Sequence, residues 1–343
     1  MMQGNPRAAS NAATPLADRE VVLEVEGLQV EFRTPRGVLK AVDGVGYTLR
    51  RGEVIAILGE SGSGKTVHAR SLIGILDSPP AFVAGGRAML GDTDLLKLDE
   101  QEMNAMRGEQ ISMLFQDPHT ALDPVFSVGD QLVELLRTRS HMSRRAARER
   151  SIELLDMVGI NDPRSRLDSF PHELSGGIAQ RVMVALAIAL DPVVLLADEP
   201  TSSLDVTVQA QVLELLERLV AERDMAMVLI THNLAVAVGL ADRIVVMYAG
   251  RIMESGPARD VYENPQHPYT AALLRSIPSI DRRDDRLPAI AGSPPSLLRL
   301  PPGCVFHPRC PHALPKCLEN VPPLIEVGPD RLSACIRVGE IDP

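Results

Sequence analysis

Residues 59–66 read Gly59-Glu-Ser-Gly-Ser-Gly-Lys-Thr66 and lie between an apolar run, residues 54–58, and a helical pattern, residues 68–73. A continuous apolar run suits a strand that is buried on both faces. Glycines allow successive backbone N–H groups to turn toward an anion, and the N-terminus of the following helix adds a favourable dipole. The stretch therefore predicts a phosphate-binding loop in an α/β domain, and its predicted nucleotide-binding residues are Gly59, Ser61, Gly62, Ser63, Gly64, Lys65 and Thr66.

Two residues of this loop have specific predicted roles. Lys65 is expected to reach the β- and γ-phosphates, and the Thr66 hydroxyl is expected to ligate Mg²⁺. The alternative is a Gly-Ser turn that matches the pattern by chance, and the strand-loop-helix context disfavours it.

A second apolar run, residues 193–197, is followed by Asp198-Glu199-Pro200. A carboxylate at the end of a buried strand is placed to hold Mg²⁺, directly or through water, and Asp198 is predicted to do so. Glu199 then lies beside the γ-phosphate, where it is expected to orient and polarise the attacking water. An Asp-Glu pair after a strand is often only a polar loop, but its combination with a phosphate-binding loop favours nucleotide hydrolysis.

The class of nucleotide-binding protein is indicated by Leu174-Ser175-Gly176-Gly177-Ile-Ala-Gln180. This segment resembles the signature of ABC ATPases, in which LSGG is followed by the start of a helix. The Asn-Lys-x-Asp motif that a GTPase needs does not occur in the sequence. The resemblance implies that Ser175, Gly176 and Gly177 close over ATP held by the opposite subunit. A capped helix start is the alternative, but it does not explain why the segment lies just before the Asp198 strand.

Four further residues resemble ABC motifs in the order that the family has them. Gln116 resembles the glutamine that senses Mg²⁺ and the lytic water, and Asp205 resembles the aspartate of the loop that crosses the dimer interface. His232 resembles the switch histidine that contacts the γ-phosphate, and Phe32 resembles the aromatic residue that stacks on adenine. Singly, each also fits a packed structural residue. Together the motifs extend the resemblance over residues 22–256 and imply ATP and Mg²⁺ as cofactors, with Mg²⁺ held by Thr66, Gln116 and Asp198.

Three residues depart from the family pattern. Ala179 replaces the polar or basic residue that is common after the signature, and Ser203 replaces the usual alanine before Asp205. Asn233 follows the switch histidine, where the family usually has aspartate. None of them replaces a residue expected to contact phosphate, so hydrolysis stays the prediction.

Composition divides the chain into three regions. Residues 1–20 carry no apolar segment and predict a disordered tail without a secretory signal. Residues 21–256 alternate short strand-like runs with helical patterns, which predicts a sheet flanked by helices, with a helical subdomain inserted at about 95–180. Residues 257–343 contain 16 of the 27 prolines and all four cysteines, which predicts a separate, loop-rich C-terminal module. The family resemblance implies the fold of an ABC-type P-loop NTPase with a mixed sheet.

Bulk properties exclude several other classes of protein. The net charge of −10 argues against nucleic acid as a partner, because phosphate neutralisation needs clustered lysine and arginine. The longest apolar candidate, residues 182–197, is interrupted by Asp191-Pro192 and is shorter than the roughly 20 residues that span a bilayer. We therefore expect a cytosolic protein whose membrane role depends on partner subunits.

The C-terminal cysteines are Cys304, Cys310, Cys317 and Cys335. Four cysteines within 32 residues of a cytosolic chain favour a metal or cluster site over disulfides. Zinc usually prefers closely spaced cysteine pairs, whereas wider spacing in proline-rich loops is more compatible with a cubane iron–sulfur cluster. Zinc, with His307 or His312 as substitute ligands, and inert buried thiols are the alternatives.

Three C-terminal segments sharpen the resemblance: residues 264–270 (NPQHPYT), 291–295 (AGSPP) and 303–311 (GCVFHPRCP). They resemble the C-terminal extension of the dipeptide/oligopeptide/nickel permease ATPases, some of which carry a [4Fe-4S] cluster on four such cysteines. The resemblance implies two membrane-spanning permease subunits, a second ATPase subunit that is a paralogue or a copy of this chain, and an extracytoplasmic binding protein. The chain would then lie at the cytoplasmic face of the membrane and energise import of di- or oligopeptides.

Three other functions stay open at this point. The first is import of nickel or another small solute by the same kind of complex. The second is a non-transport ABC ATPase. Translation types usually have two ATPase cores and DNA-repair types insert long coiled coils, and the sequence shows neither feature. The third is a catalytically silent subunit, against which an intact Glu199 argues.

Overall fold

A computed structural model of the protein describes residues 15–276 and 290–341. The strands in these residues are β1 Val21–Thr34, β2 Gly37–Arg50, β3 Val54–Leu58, β4 Ala81–Leu90, β5 Thr93–Asp94, β6 Ile111–Leu114, β7 Val194–Asp198, β8 Ala226–Ile230, β9 Arg243–Tyr248, β10 Arg251–Pro257, β11 Ile325–Gly328 and β12 Arg331–Ser333.

The α-helices are α1 Lys65–Leu72, α2 Glu100–Met106, α3 Pro118–Ala121, α4 Val128–Arg139, α5 Arg144–Met157, α6 Pro163–Arg166, α7 Gly176–Ile188, α8 Val206–Arg223, α9 Leu234–Leu240, α10 Ala258–Glu263 and α11 Pro268–Arg275. Short 3₁₀ helices occur at Leu16–Asp18, Leu95–Lys97, Pro171–Glu173, His307–Arg309 and Pro315–Leu318. Among the described helices, none combines the length and the apolar character that crossing a bilayer requires.

The N-terminal tail lies largely outside the described residues. Of the twenty residues predicted to be disordered, only 15–20 are described, and three of them form the first 3₁₀ helix. Strand β1 then begins at Val21, at the predicted boundary.

The described residues form two compact units, and the division falls within β8, after Val228. The first unit contains residues 15–22, 50–53 and 98–228, and the second contains residues 23–49, 54–97, 229–276 and 290–341.

The first unit contains the helices of the predicted helical subdomain. Its strands β6 and β7 pair in parallel, from Ile111 opposite Val194 to Leu114 opposite Ala197. Helix α5 begins after Ser143, whose side chain accepts a hydrogen bond from the backbone N–H of Ala146 and so satisfies one of the unpaired amides of the first turn.

The second unit contains a mixed sheet whose hydrogen-bonded order is β11-β12-β10-β9-β3. Strands β3 and β9 are parallel, whereas β9, β10, β12 and β11 pair antiparallel. Every residue of β3 is buried, which explains why the sequence shows a continuous apolar run there. The mixed sheet expected from the sequence is thus confirmed. A second, antiparallel sheet in the order β2-β1-β4-β5 was not predicted.

The C-terminal residues belong to the second unit, although the sequence suggested a separate module. Strand β12 extends the mixed sheet, with Glu254 opposite Ser333 and Ser255 opposite Leu332. Phe306 is buried in the same apolar cluster as Leu58 of β3. This region has few periodic segments of its own, and burial of single side chains in the neighbouring core replaces a core of its own.

The burial of two histidines leads us to predict that the protein loses stability in mild acid. Burial lowers the pKa of His68 to about 4 and that of His267 to about 3, from about 6.5 in an unfolded chain. His267 must stay unprotonated at Nδ1, because this atom accepts the backbone N–H of Tyr269 at 3.0 Å and caps α11. The unfolded chain therefore binds more protons below pH 6.5, so the stabilisation is complete above that pH and is lost as the pH falls.

We expect the free energy of unfolding to fall by about 2 kcal/mol for each histidine between pH 6.5 and 5. Urea unfolding at several pH values measures it. His267→Asn is the matched variant, since asparagine is a good N-cap that does not titrate, and it should remove about half of this pH dependence. An unchanged pH dependence in that variant would contradict the assignment.

Candidate nucleotide-binding and thiol sites

The phosphate-binding loop connects β3 to α1 within the second unit. Lys65 is 6% exposed, and its Nζ donates hydrogen bonds to the carbonyl oxygens of Gly59 at 2.8 Å and Glu60 at 3.0 Å. The Ser63 backbone N–H donates to the same Glu60 oxygen at 3.2 Å. The loop therefore curls around its own lysine, which concentrates positive charge at the N-terminus of α1, where an anion is favoured.

Two of the loop glycines are required by close backbone contacts. A Cβ at Gly59 would lie 2.2 Å from the carbonyl oxygen of Met247 on β9. A Cβ at Gly64 would lie 2.2 Å from the carbonyl oxygen of Ala41 on β2, and Gly64 also has φ of +101°, a region that side chains disfavour. By contrast, Gly62 has φ of +78° but no atom within 4 Å of a Cβ. The first two glycines fit the loop between strands, while Gly62 serves the backbone turn.

The predicted acidic pair lies at the end of β7 in the first unit. Asp198 is the last residue of this strand and is 1% exposed, whereas Glu199 is half-buried. The Nε2 of Gln116 donates a hydrogen bond of 3.1 Å to Oε2 of Glu199. Because β6 and β7 are parallel neighbours, the residues that follow them meet at one edge of the sheet. The structure thus brings Gln116 and Glu199 together, as their predicted roles require.

Glu199 has a backbone conformation that is uncommon for its residue type. Its φ is +47°, in the left-handed region that costs an L-residue roughly 1–2 kcal/mol. Such outliers persist where the surrounding structure holds them and are frequent at functional sites. The turn redirects the chain immediately after the buried strand and leaves the carboxylate partly exposed beside Gln116.

The signature segment opens helix α7 in the first unit. Ser175 is the N-cap residue and is exposed, and its side chain makes no capping hydrogen bond. A Cβ at Gly177 would lie 2.7 Å from Cγ1 of Val208 on α8, while a Cβ at Gly176 would meet nothing closer than 3.7 Å. Ser175 therefore occupies the N-cap position, as the alternative of a helix start requires, but its hydroxyl is exposed and does not cap the helix.

Asp205 and Asn233 both cap helices. The Asp205 carboxylate accepts the backbone N–H groups of Thr207 and Val208 at the start of α8. The Asn233 side-chain oxygen accepts those of Ala235 and Val236 at the start of α9. Asparagine and aspartate are about equally good N-caps, so the departure at Asn233 keeps the helix cap after His232.

The remaining predicted residues lie on three different elements. His232 is exposed between β8 and α9, and Phe32 is half-buried on β1, opposite Ala81 of β4. Of the two other departures, Ala179 is fully buried in α7 and Ser203 is exposed before α8. The predicted site residues are divided between the units. Phe32, the phosphate loop and His232 lie in the second unit, and the other residues predicted to bind nucleotide lie in the first.

The four C-terminal cysteines line one cavity in the second unit, and none of them forms a disulfide. His307 and His312 line the same cavity. Burial, and then the neighbouring thiols, raises the pKa of Cys304 to about 11. Within residues 15–276 and 290–341, no three cysteine, histidine or acidic side chains are arranged to hold a single metal ion.

One ion pair at the phosphate loop was not predicted. The Arg309 guanidinium, one residue before Cys310, binds the Glu60 carboxylate through two hydrogen bonds of 2.6 and 3.0 Å. The two residues are 249 positions apart, so no local pattern in the sequence indicates the contact.

Two known protein families match this chain, one in its N-terminal part and one in its C-terminal part. The family model described as "ABC transporter" matches residues 42–202, and the model described as "Oligopeptide/dipeptide transporter, C-terminal region" matches residues 253–317.

Individual proteins are similar over most of the chain. The oligopeptide transport ATP-binding protein OppD of Salmonella typhimurium is 49% identical over 317 residues, which cover 92% of this chain and 94% of that protein. The dipeptide transport ATP-binding protein DppD of Bacillus subtilis is 47% identical over 298 residues, covering 87% and 89%. Among solved structures, the dimeric ATP-binding cassette MJ0796 bound to ADP and Pi matches with a TM-score of 0.62 and 26% identity, over 69% of this chain and 99% of that one.

Proposed function

This chain belongs to the ABC transporter family, in the group with the oligopeptide/dipeptide transporter C-terminal region, and we propose that it binds and hydrolyses ATP to energise peptide import. The observation that carries the hydrolytic role is the contact between Gln116 and Glu199 after two parallel strands. It aims a partly exposed carboxylate and an amide at one place, beside the buried Asp198.

The proposed chemistry assigns one task to each group. Lys65 and the amides of the phosphate loop bind and orient the phosphates of ATP. Glu199 positions a water molecule for attack on the γ-phosphate, Gln116 holds that carboxylate in place, and His232 contacts the γ-phosphate. Thr66, Gln116 and Asp198 offer a hydroxyl, an amide oxygen and a carboxylate, which are the hard oxygen ligands that Mg²⁺ prefers. If these three residues hold Mg²⁺, the ion would supply positive charge that offsets the charge on the phosphates.

We further propose that two ATPase subunits form a sandwich dimer, either with a paralogous chain or with a second copy of this one. ATP then lies between the phosphate loop of one subunit and Ser175, Gly176 and Gly177 of the other, with Asp205 at the interface and Phe32 stacked on adenine. The exposed hydroxyl of Ser175 at a helix N-terminus supports this role. Product release would reopen the dimer.

The remaining partners follow from the same family. We propose two permease subunits, an extracytoplasmic binding protein, and a peripheral position on the cytoplasmic face of the membrane. The loop from Gln116 to Pro124 would transmit the motion to the permeases. An ATPase assay of the assembled complex with a panel of solutes tests the substrate class. Stimulation by dipeptides or oligopeptides is the expected result, whereas stimulation by nickel alone would favour the alternative importer.

For the cysteine cavity we propose a [4Fe-4S] cluster with a structural role. Its support is that all four thiols line one cavity, which His307 and His312 also line. A cubane takes four cysteine thiolates, which is the number that this cavity supplies. The cluster would hold Cys304, Cys310, Cys317 and Cys335 together at the edge of the mixed sheet.

Purification without oxygen tests this assignment. We expect a brown protein with about four iron atoms per chain. Cys310→Ser should reduce the iron content and lower the melting temperature, while His312→Ala should leave both unchanged. A colourless protein with stoichiometric zinc would refute the cluster.

A further inference from the structure

Glu60, the second residue of the phosphate loop, is held from outside the loop by two side chains of the C-terminal region. The Tyr269 hydroxyl on α11 accepts the Glu60 backbone N–H at 2.9 Å. The Arg309 guanidinium pairs with both carboxylate oxygens of Glu60, and the two side chains are 5% and 24% exposed. The carbonyl oxygen of the same residue accepts Lys65 Nζ. Glu60 therefore connects Lys65 of the phosphate loop to the C-terminal region.

The Arg309 side chain is fully engaged. Besides Glu60, its N–H groups donate to the Tyr248 hydroxyl at 3.1 Å and to the carbonyl oxygens of Ala291 and Ile290 at 2.9 and 3.3 Å. These five hydrogen bonds match the five donors of a guanidinium. Such a site needs the planar fork of arginine, which lysine does not supply.

The backbone of Arg309 belongs to the turn that carries two of the cysteines. The 3₁₀ helix His307–Arg309 is preceded by Cys304, whose carbonyl oxygen accepts the backbone N–H of His307, and ends at Cys310 as its cap. Phe306 anchors the turn, with its ring 5.4 Å from that of Tyr248 and 5.2 Å from that of Tyr269. Displacement of either cysteine would thus move the arginine that holds the phosphate loop.

We propose that Arg309 is a positioning residue that couples the cysteine-lined cavity to the phosphate-binding loop, so that ATP affinity depends on an intact cavity. The inference rests on the proposed function, since it concerns the affinity of the same loop. When the Glu60 carboxylate is released, the loop explores other conformations and its binding-competent fraction falls. The apparent dissociation constant then rises by the inverse of that fraction.

Titration of the purified full-length chain with a fluorescent ATP analogue measures the effect. Arg309→Gln and Glu60→Gln are each expected to raise the dissociation constant at least about fivefold. The double variant should bind the ATP analogue as tightly as the weaker-binding single variant, because each single change removes the same interaction. Arg309→Lys, which keeps the charge and is the less disruptive change, should lie between the wild type and Arg309→Gln. An Arg309→Gln dissociation constant within twofold of the wild-type value would overturn the proposal.

Arg331→Gln is the matched control. Arg331 lies in the same C-terminal region and forms a buried ion pair with Glu254 of β10, and neither residue belongs to the phosphate loop. Both arginine variants should melt at lower temperature, but only Arg309→Gln should lose ATP affinity. Equal losses of ATP affinity in the two variants would show that any destabilisation of the C-terminal region weakens binding, and would overturn the positioning role.

Substitution of the cysteines tests whether the cavity and the phosphate loop are coupled. Cys310→Ser, or Cys335→Ser if the first is insoluble, should raise the dissociation constant in the wild-type background and add little in the Arg309→Gln background. Additive effects, or no effect of either cysteine change, would overturn the coupling. A wild-type chain that binds no ATP would instead refute the proposed function, and the inference with it.

Discussion

Glu199→Gln is expected to reduce the rate of ATP hydrolysis by about 10²–10⁴-fold while leaving ATP binding intact. An amide cannot accept a proton from the attacking water, but its oxygen still accepts the hydrogen bond that Gln116 donates. The geometry of the turn is therefore kept and only the basic group is lost. Single-turnover hydrolysis and nucleotide titration on the same preparation separate the two quantities.

Two further variants serve as controls for this prediction. Glu214→Gln changes an exposed carboxylate on α8 of the same unit and should leave hydrolysis unchanged. Gln116→Ala should give a smaller loss than Glu199→Gln, because it removes the positioning group but keeps the base. Turnover of Glu199→Gln at the wild-type rate would remove this residue from the mechanism.

Gly64→Ala is expected to weaken ATP binding on the order of 100-fold. The added methyl group would meet the carbonyl oxygen of Ala41 at 2.2 Å, and the residue has φ of +101°. Overpacking costs typically 1–3 kcal/mol and a left-handed residue about 1–2 kcal/mol more, while each 1.4 kcal/mol is tenfold in affinity. The loop must move away from β2, which displaces the amides that would surround the phosphates.

Gly62→Ala separates crowding from backbone conformation. This glycine also has positive φ, +78°, but a methyl group there meets no atom within 4 Å. Its affinity should fall by about tenfold or less, from the backbone term alone. Melting curves of both variants show whether the fold is kept. Equal affinities of the two variants would contradict the account of the loop.

The sequence predicted those parts of the fold that have a local signal in the order of their residues. Strands β3 and β7 were found because both are buried along their whole length, so each shows an uninterrupted apolar run beside a motif. Helix α5 also has a local signal, because its N-cap Ser143 is a residue type that favours this position. Glu199 follows the recognisable strand β7, and the pairing of this strand with β6 brings Glu199 to Gln116.

What the sequence could not predict depends on distant contacts. Strand β12 is only three residues long and is held in place by pairing with β10 and by the ion pair between Arg331 and Glu254. Phe306 lies in a proline-rich stretch without periodicity, yet it is buried in the core of the second unit. The contact between Glu60 and Arg309 links residues that no spacing rule connects.

Transport by the reconstituted complex tests the central claim most directly. The chain is assembled with its permease subunits and ATPase partner in liposomes that contain ATP, and labelled di- or oligopeptide is supplied outside with the binding protein. We predict that peptide accumulates inside while ATP is consumed, and that Glu199→Gln in this chain stops or strongly slows accumulation. ATP consumption without accumulation of any peptide, or accumulation that Glu199→Gln leaves unchanged, would contradict the account.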